Sequence, residues 1–336
     1  MREALLYEKL EKDAVRCLAC NHYCQISDGK LGFCGVRKNE KGMLFSLVWG
    51  RPVAMHIDPI EKKPLYHFLP GSKSFSVATI GCNFRCGFCQ NWQISQVRFQ
   101  EDTSLKDEGL VMPEQVVKEA VSQGCKSISY TYTEPTVFFE YALDIAREAK
   151  EVGLSNNFVT NGFMSKECLQ LLAPYLDAAN VDLKFFSDSS YRQVCAGSLN
   201  PVLSSIKLMK QMGIWVEVTT LVVPGENDSQ QELAQIADFI ASVDKDMPWH
   251  ISRFHPDFQF GDKAPTPFSS LRLAESVGKK AGLNYIYLGN VLGEGAVTFC
   301  PNCHKPLIRR EGFTVLEYHL KGNCCSYCQS IIPGVF

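Results

Sequence analysis

The stretch Ser74-Phe-Ser-Val-Ala-Thr-Ile-Gly-Cys-Asn-Phe-Arg-Cys-Gly-Phe-Cys-Gln90 runs a short apolar segment straight into a loop carrying three cysteines, Cys82, Cys86 and Cys89. Three thiolates hold three irons of a [4Fe-4S] cube, and with no fourth cysteine close behind them one iron is left open for a substrate or cofactor. A C-x3-C-x2-C run of this kind points to chemistry rather than scaffolding.

Beyond this loop, short apolar runs alternate with helical patterns. Strand candidates follow at 126–130, 157–160, 180–184, 214–223, 249–253 and 285–288. Helices are expected near 113–122, 137–150, 166–172, 201–211, 230–242 and 268–279, several opened by proline or a capping residue. Repeated β-α units of this length imply an α/β chain with a parallel sheet curled into a full or partial barrel, and active groups at the C-terminal ends of its strands. Polar residues do gather there: Cys82 after the first strand, Thr131-Tyr-Thr-Glu134 after the second, and Thr160-Asn161-Gly162 after the third. Asp182 and Lys184 close the fourth strand, residues 223–228 the fifth, and Arg253-Phe-His255 the sixth. Any one of these tips could be an ordinary turn. Six together are hard to read as turns alone.

Composition sets the context. Fifteen cysteines in 336 residues would suggest disulfides in a short secreted chain, but residues 1–10 are charged and amphipathic and lack the apolar core of a signal peptide. No apolar run reaches the roughly eighteen residues of a membrane span, so a soluble, reducing, cytoplasmic setting is expected. Thiols there serve as metal ligands more often than as disulfides. Lysine plus arginine at 34 against aspartate plus glutamate at 36 gives a net charge of -2, which leaves no global basic field to attract nucleic acid.

Two further cysteine sets flank the central repeat. Cys300-x2-Cys303 and Cys325-x2-Cys328 are two knuckles that suit a tetrahedral zinc site, with Cys324 able to replace Cys325 in the register. Cys17, Cys20, Cys24 and Cys34 form a less regular quartet that suits either zinc or an iron-sulfur cluster. The expected organisation is a four-cysteine module at 1–50, a linker at 51–73, a barrel at 74–292 and a zinc-ribbon-like module at 296–336. Cys125, Cys168 and Cys195 lack partner spacing and read as packing, with Cys195 the one placed to bring a thiol near the site.

The trio with an aromatic before its last cysteine, Cys86-Gly-Phe88-Cys89, resembles the signature of the radical S-adenosylmethionine (SAM) superfamily. The order Thr160-Asn161-Gly162, Asp182-Leu-Lys184, Val223-Pro-Gly225 and Phe254-His255 is similar to that of pyruvate formate-lyase activating enzymes. The whole layout, including Glu61-Lys-Lys-Pro-Leu-Tyr-His-Phe68 and the terminal cysteines, resembles the radical enzyme of the AmmeMemoRadiSam system. This resemblance implies a partial (β/α)6 TIM-like barrel with small cysteine-rich terminal modules. It also implies a [4Fe-4S] cluster on Cys82, Cys86 and Cys89, and reductive cleavage of SAM to a 5'-deoxyadenosyl radical that abstracts hydrogen from a substrate. Carried over by position, Glu134 would accept from the SAM amino group, Asn161, Lys184 and His255 would surround its carboxylate and ribose, Asp182 would lie near the sulfonium, and Phe88 would stack beside the cofactor. The implied partners are a reducing donor such as flavodoxin or ferredoxin and a protein or peptide substrate. Tyr132-Thr133 stands where the superfamily has Gly-Gly, and Val159 where the activating enzymes have aspartate.

Each residue also has a plainer role open to it. Glu134 before Pro135 suits a helix-capping acid, Lys184 with Asp182 a strand-end pair, His255 a loop histidine and Phe88 a core aromatic. At the level of function, the competing classes are radical modification of RNA or a small molecule, with the cysteine modules as recognition or auxiliary cluster sites, and a non-catalytic metal-binding adaptor.

Overall fold

The computed structural model describes residues 1–99, 109–291 and 296–336. The apolar runs pair in chain order into one eight-stranded sheet: β1 (Ala54–Pro59), β2 (Lys73–Ala78), β3 (Ser127–Tyr130), β4 (Ser155–Thr160), β5 (Ala178–Asp182), β6 (Trp215–Val222), β7 (Trp249–Arg253) and β8 (Ile286–Gly289). β2 to β8 are parallel, so their C-terminal ends share one edge of the sheet, while β1 pairs antiparallel with β2. Helices α1 (Pro113–Ser122), α2 (Phe139–Glu151), α3 (Lys166–Leu172), α4 (Leu199–Gln211), α5 (Gln230–Val243) and α6 (Phe268–Ala281) fill the crossovers. Their starts follow local chemistry: Pro113 opens α1, and the Ser165 and Ser229 hydroxyls accept from the backbone N–H of Cys168 and Glu232 at α3 and α5.

The sheet is open, as a partial barrel is, with β1 and β8 as its two edges, and its seven parallel strands are the seven apolar runs of the sequence. One sequence expectation changes. Residues 51–73 are not a linker. They carry edge strand β1, whose outward side chains are largely exposed and so lack the apolar run of the buried parallel strands. The barrel's expected end at 292 lies outside the described residues.

Inside the sheet, serines and asparagines replace the usual branched aliphatics, and they satisfy one another: Ser74 Oγ lies 2.6 Å from Ser129 Oγ, and Ser129 Oγ donates to Asn157 Oδ1 at 2.7 Å.

The terminal modules dock at opposite ends of this sheet. Residues 1–50 fold into two small three-stranded antiparallel sheets, one of Arg2–Glu3, Met43–Ser46 and Arg37–Glu40, the other of Tyr7–Lys9, Val15–Cys17 and Gln25–Ile26. They are anchored to α2 by a buried bidentate pair, Arg37 Nη1 and Nη2 to Glu140 Oε1 and Oε2 at 3.0 and 2.7 Å. Removing one partner of a pair buried like this leaves an uncompensated charge and costs about 3–5 kcal/mol. The loops of this module reach the strand tips, where Asn21 donates to the carbonyls of Phe163 and Met164.

The C-terminal module, with strands Thr298–Phe299, Pro306–Glu311 and Thr314–Tyr318, sits at the other end, beside the starts of β6, β7 and β8. Buried Arg310 reaches from it to the Tyr66 carbonyl at 2.7 Å, to Thr298 Oγ1 and to Glu61, with its guanidinium over the Tyr66 ring. Buried His67 bonds the Pro333 carbonyl and the Tyr287 hydroxyl at 2.8 and 2.6 Å. Glu217 of β6 accepts from the backbone N–H of Tyr66 and His67 and pairs with His250 of β7. The Glu61 to Phe68 segment therefore clamps the C-terminal module to the sheet.

Candidate active site

The cysteine loop leaves β2 at the parallel edge and is held on three sides. Gly81 has φ +95, and a Cβ there would fall 2.6 Å from Val36 and 3.1 Å from the Cys34 carbonyl, so only glycine lets the N-terminal module lie against the loop. The backbone N–H groups of Arg85 and Gly87 donate to the carbonyls of Cys195 and Val194, which lie on the turn after β5. The N–H of Gln259, after β7, donates to the Gly87 carbonyl.

Around the sulfurs the chain sets donors. The Phe84 N–H points at Cys82 Sγ at 3.3 Å, and the Ser95 hydroxyl lies 3.1 Å from Cys89 Sγ. Asn161 Nδ2 donates to Asn83 Oδ1 at 2.7 Å and lies 4.0 Å from Cys82 Sγ. Asn83 is fully buried, and its Nδ2 has no partner. A buried amide donor without an acceptor costs about 1–3 kcal/mol unless something supplies one. Cluster sulfides and thiolates are acceptors of the right kind, so the loop's donor set suits an iron-sulfur group. The thiols themselves resist ionising alone. Burial, then the charges of Glu134 and Cys86, push Cys82 well up; contact with the Cys195 thiol, then burial, pushes Cys86 well up; burial raises Cys89 against the Ser95 hydroxyl. They are poor free nucleophiles and need bound cations to become thiolates.

The remaining site candidates divide. Lys184 lies in the same group: its ammonium donates to Asp182 Oδ2 at 2.8 Å and sits 5.7 Å from the centre of the Phe88 ring. Burial alone would lower its pKa, but Asp182 and the Cys86 and Cys195 thiols outweigh burial and hold it charged. Phe88 is buried, tilted against Phe185 and Phe260, and forms part of the core. His255 is exposed and has no hydrogen bond among the described residues, so its side chain is not tied into the group.

Glu134 takes the plainer helix-capping role that its place before Pro135 also allowed. Its Oε1 accepts from the Thr136 N–H and the Thr160 hydroxyl, and its Oε2 from the Asn161 N–H at 2.8 Å. The carboxylate thus caps the short helix Pro135–Phe138 and ties the tip of β3 to that of β4. With 3% of its surface exposed, it acts on its surroundings by fixing Asn161.

Tyr132, where the superfamily's glycine would stand, has φ +64 and so keeps a glycine-like backbone despite its side chain. Its hydroxyl donates to Asp58 of β1, Lys63 lies 4.4 Å over its ring, and Asn91 binds its carbonyl. These contacts offset a left-handed strain of about 1–3 kcal/mol. The spacing of motifs gave no sign of Ser95, and Asn83 left a trace only as the polar residue next to Cys82. Cys195 lies against Cys86, near the site as its place after the fourth strand allowed.

Residues 76–240 match the Radical SAM superfamily. An uncharacterised protein of Methanocaldococcus jannaschii is 44% identical over 98% of both chains. This chain belongs to the radical SAM superfamily. Within it, the pyruvate formate-lyase-activating enzyme of Streptococcus mutans is 22% identical over 59% of this chain and 81% of that one. A radical SAM methyltransferase of Sphaerobacter thermophilus shares the fold at 16% identity, with a TM-score of 0.50 over 66% of this chain and 67% of that one. Membership makes the chain an enzyme that cleaves SAM at an iron-sulfur cluster, and sets aside the adaptor reading. Among the described residues no helix is long and apolar enough to cross a membrane.

At the far end, Cys300, Cys303, Cys325 and Cys328 bring their sulfurs within 4.8 Å of one another, with Cys300 to Cys328 at 3.6 Å and Cys303 to Cys325 at 3.8 Å. This group can bind a metal ion, and it includes Cys325 rather than Cys324.

Proposed function

We propose that Cys82, Cys86 and Cys89 hold the [4Fe-4S] cluster of a radical SAM enzyme whose substrate is a protein or peptide, as in glycyl radical activation. The observation that carries the cluster assignment is the Phe84 N–H and Ser95 hydroxyl set on these sulfurs, beside a buried Asn83 amide that has no partner. When bound, the cluster supplies one electron for reductive cleavage of SAM to a 5'-deoxyadenosyl radical. The chain's own residues do the rest. Lys184, kept charged by Asp182, receives the SAM carboxylate. Glu134 positions Asn161, whose amide lies at the edge of the Cys82 loop. Asp182, half-exposed at the end of β5, faces the sulfonium, and Phe88 backs the loop as an apolar wall. His255, exposed just after β7, meets the ribose of bound SAM. The protein-substrate reading is supported by similarity to activating enzymes, whose named target is itself an enzyme.

At the C-terminal knuckles the metal is zinc. Zn–S bonds of about 2.3 Å in a tetrahedron place thiolates about 3.8 Å apart, which is the spacing these sulfurs already have.

The test is to reconstitute the full chain anaerobically, reduce it and measure 5'-deoxyadenosine released from SAM. Release is expected, and Cys89→Ala abolishes it while zinc content stays. Release by that variant at the parent rate would overturn the assignment.

A further inference from the structure

The N-terminal quartet is built differently from the C-terminal one. Cys17, Cys20, Cys24 and Cys34 all line one small cavity, which Arg37 and Val137 also line. Yet among the described residues only the C-terminal cysteines bring three or more ligating atoms within 4.8 Å of one another. No three sulfurs of the N-terminal quartet come together as one zinc ion requires. Four thiolates that each bind a different iron of a cube must stand farther apart than four that share one ion. The Cys82 trio, in the same molecule, is spread in the same way. The cavity also offers a donor. Arg37 is 2% exposed, its two Nη atoms are taken by Glu140, and its Nε has no partner.

The quartet also lies directly against the Cys82 loop. His22, between Cys20 and Cys24, bonds the Asn83 carbonyl at 2.7 Å. Arg85 donates to the Cys82 carbonyl at 2.8 Å and to that of Phe33, the neighbour of Cys34, while its guanidinium lies over the Phe33 ring. One guanidinium therefore spans the two cysteine sets.

We propose that Cys17, Cys20, Cys24 and Cys34 hold a second iron-sulfur cluster that relays electrons to the cluster on Cys82, Cys86 and Cys89. One electron passes from a reduced flavodoxin or ferredoxin to the N-terminal cluster, and the same electron then passes to the Cys82 cluster. The N-terminal cluster returns to its oxidised state, and no proton or bond is exchanged. The relay, but not the metal assignment, rests on reading the Cys82 trio as the SAM-cleaving site.

Two measurements on the full chain test it. The triple variant Cys82→Ala, Cys86→Ala, Cys89→Ala, reconstituted anaerobically, should keep about four irons and four sulfides with a reducible cluster signal in electron paramagnetic resonance. A triple variant with no iron and about two zinc ions would overturn the metal assignment. Its result does not depend on SAM cleavage, so failure of the parent chain to release 5'-deoxyadenosine would sink the catalytic reading and leave this one standing. The second variant, Cys20→Ser with Cys24→Ser, should lose at least tenfold in 5'-deoxyadenosine formation driven by reduced flavodoxin, and stay within twofold of the parent when dithionite is the reductant. An equal loss with both reductants, or no loss with either, would overturn the relay.

Discussion

The two terminal modules bring four cysteines each to opposite ends of one sheet, and they differ in how tightly those cysteines are drawn together. At the C-terminal end, beside the starts of β6 to β8, the sulfurs already stand at 3.6–3.8 Å, and the module is clamped by Arg310 and His67. At the other end, the N-terminal quartet opens around a cavity and touches the Cys82 loop through His22 and Arg85. In β/α folds the end bearing the strand tips carries chemistry and the opposite end carries stability. The contrast teaches that two sets of equal cysteine count are told apart by thiol spacing and by the end of the sheet they occupy.

The comparison breaks most sharply on single cysteines. Cys86→Ala should bring 5'-deoxyadenosine formation to background and remove about four irons while C-terminal zinc stays, as metal analysis and product chromatography will read. Cys325→Ala should do the reverse. It removes zinc binding worth on the order of 10 kcal/mol and makes residues 296–336 open to protease, yet leaves SAM cleavage in place. Its neighbour Cys324 is outside the group, so Cys324→Ala should change stability by no more than about 0.5 kcal/mol.

Next in size is the pH dependence of the C-terminal clamp. Burial lowers the His67 pKa from 6.5 to about 4, against the pull of Glu217 and the Pro333 carbonyl. The unfolded chain then binds a proton that the folded chain does not, so stability is complete above pH 6.5 and falls as pH drops toward 4. The loss reaches about 3 kcal/mol across that window, and thermal unfolding from pH 7 to 5 should show it. His67→Gln should flatten this slope, leaving the smaller, lower-pH contribution of Glu217, whose carboxyl is held down by His250. A smaller effect than the pH slope is expected at the other end. Tyr132→Phe removes the hydroxyl bond to Asp58 and should cost about 2 kcal/mol in denaturant unfolding.

Much of this was legible in the sequence because it is local. Helix α1 at Pro113–Ser122 and strand β7 at Trp249–Arg253 have the bounds that proline and the apolar run indicate, and the trio lies where the first parallel strand ends. What escaped depends on partners distant in the chain. β1 is an edge strand with exposed side chains, so periodicity does not mark it. Glu134 reads in the sequence as a SAM contact or a helix cap, and only folding brings Thr160 and Asn161 to its carboxylate. Tyr132 departs from the superfamily's glycine, yet its left-handed backbone is held by Asp58 and Lys63, 74 and 69 residues away in the chain. The choice between Cys324 and Cys325 is one of register that the hairpin of Leu320–Lys321 with Cys324–Cys325 decides.

The most direct measurement is anomalous diffraction from crystals of the anaerobically prepared chain, collected on either side of the iron and zinc absorption edges. Iron peaks beside Cys82, Cys86 and Cys89 and within the N-terminal cavity, with one zinc peak among Cys300, Cys303, Cys325 and Cys328, are the predicted result. A zinc peak at the Cys82 loop, or iron at the C-terminal knuckles, would contradict the account.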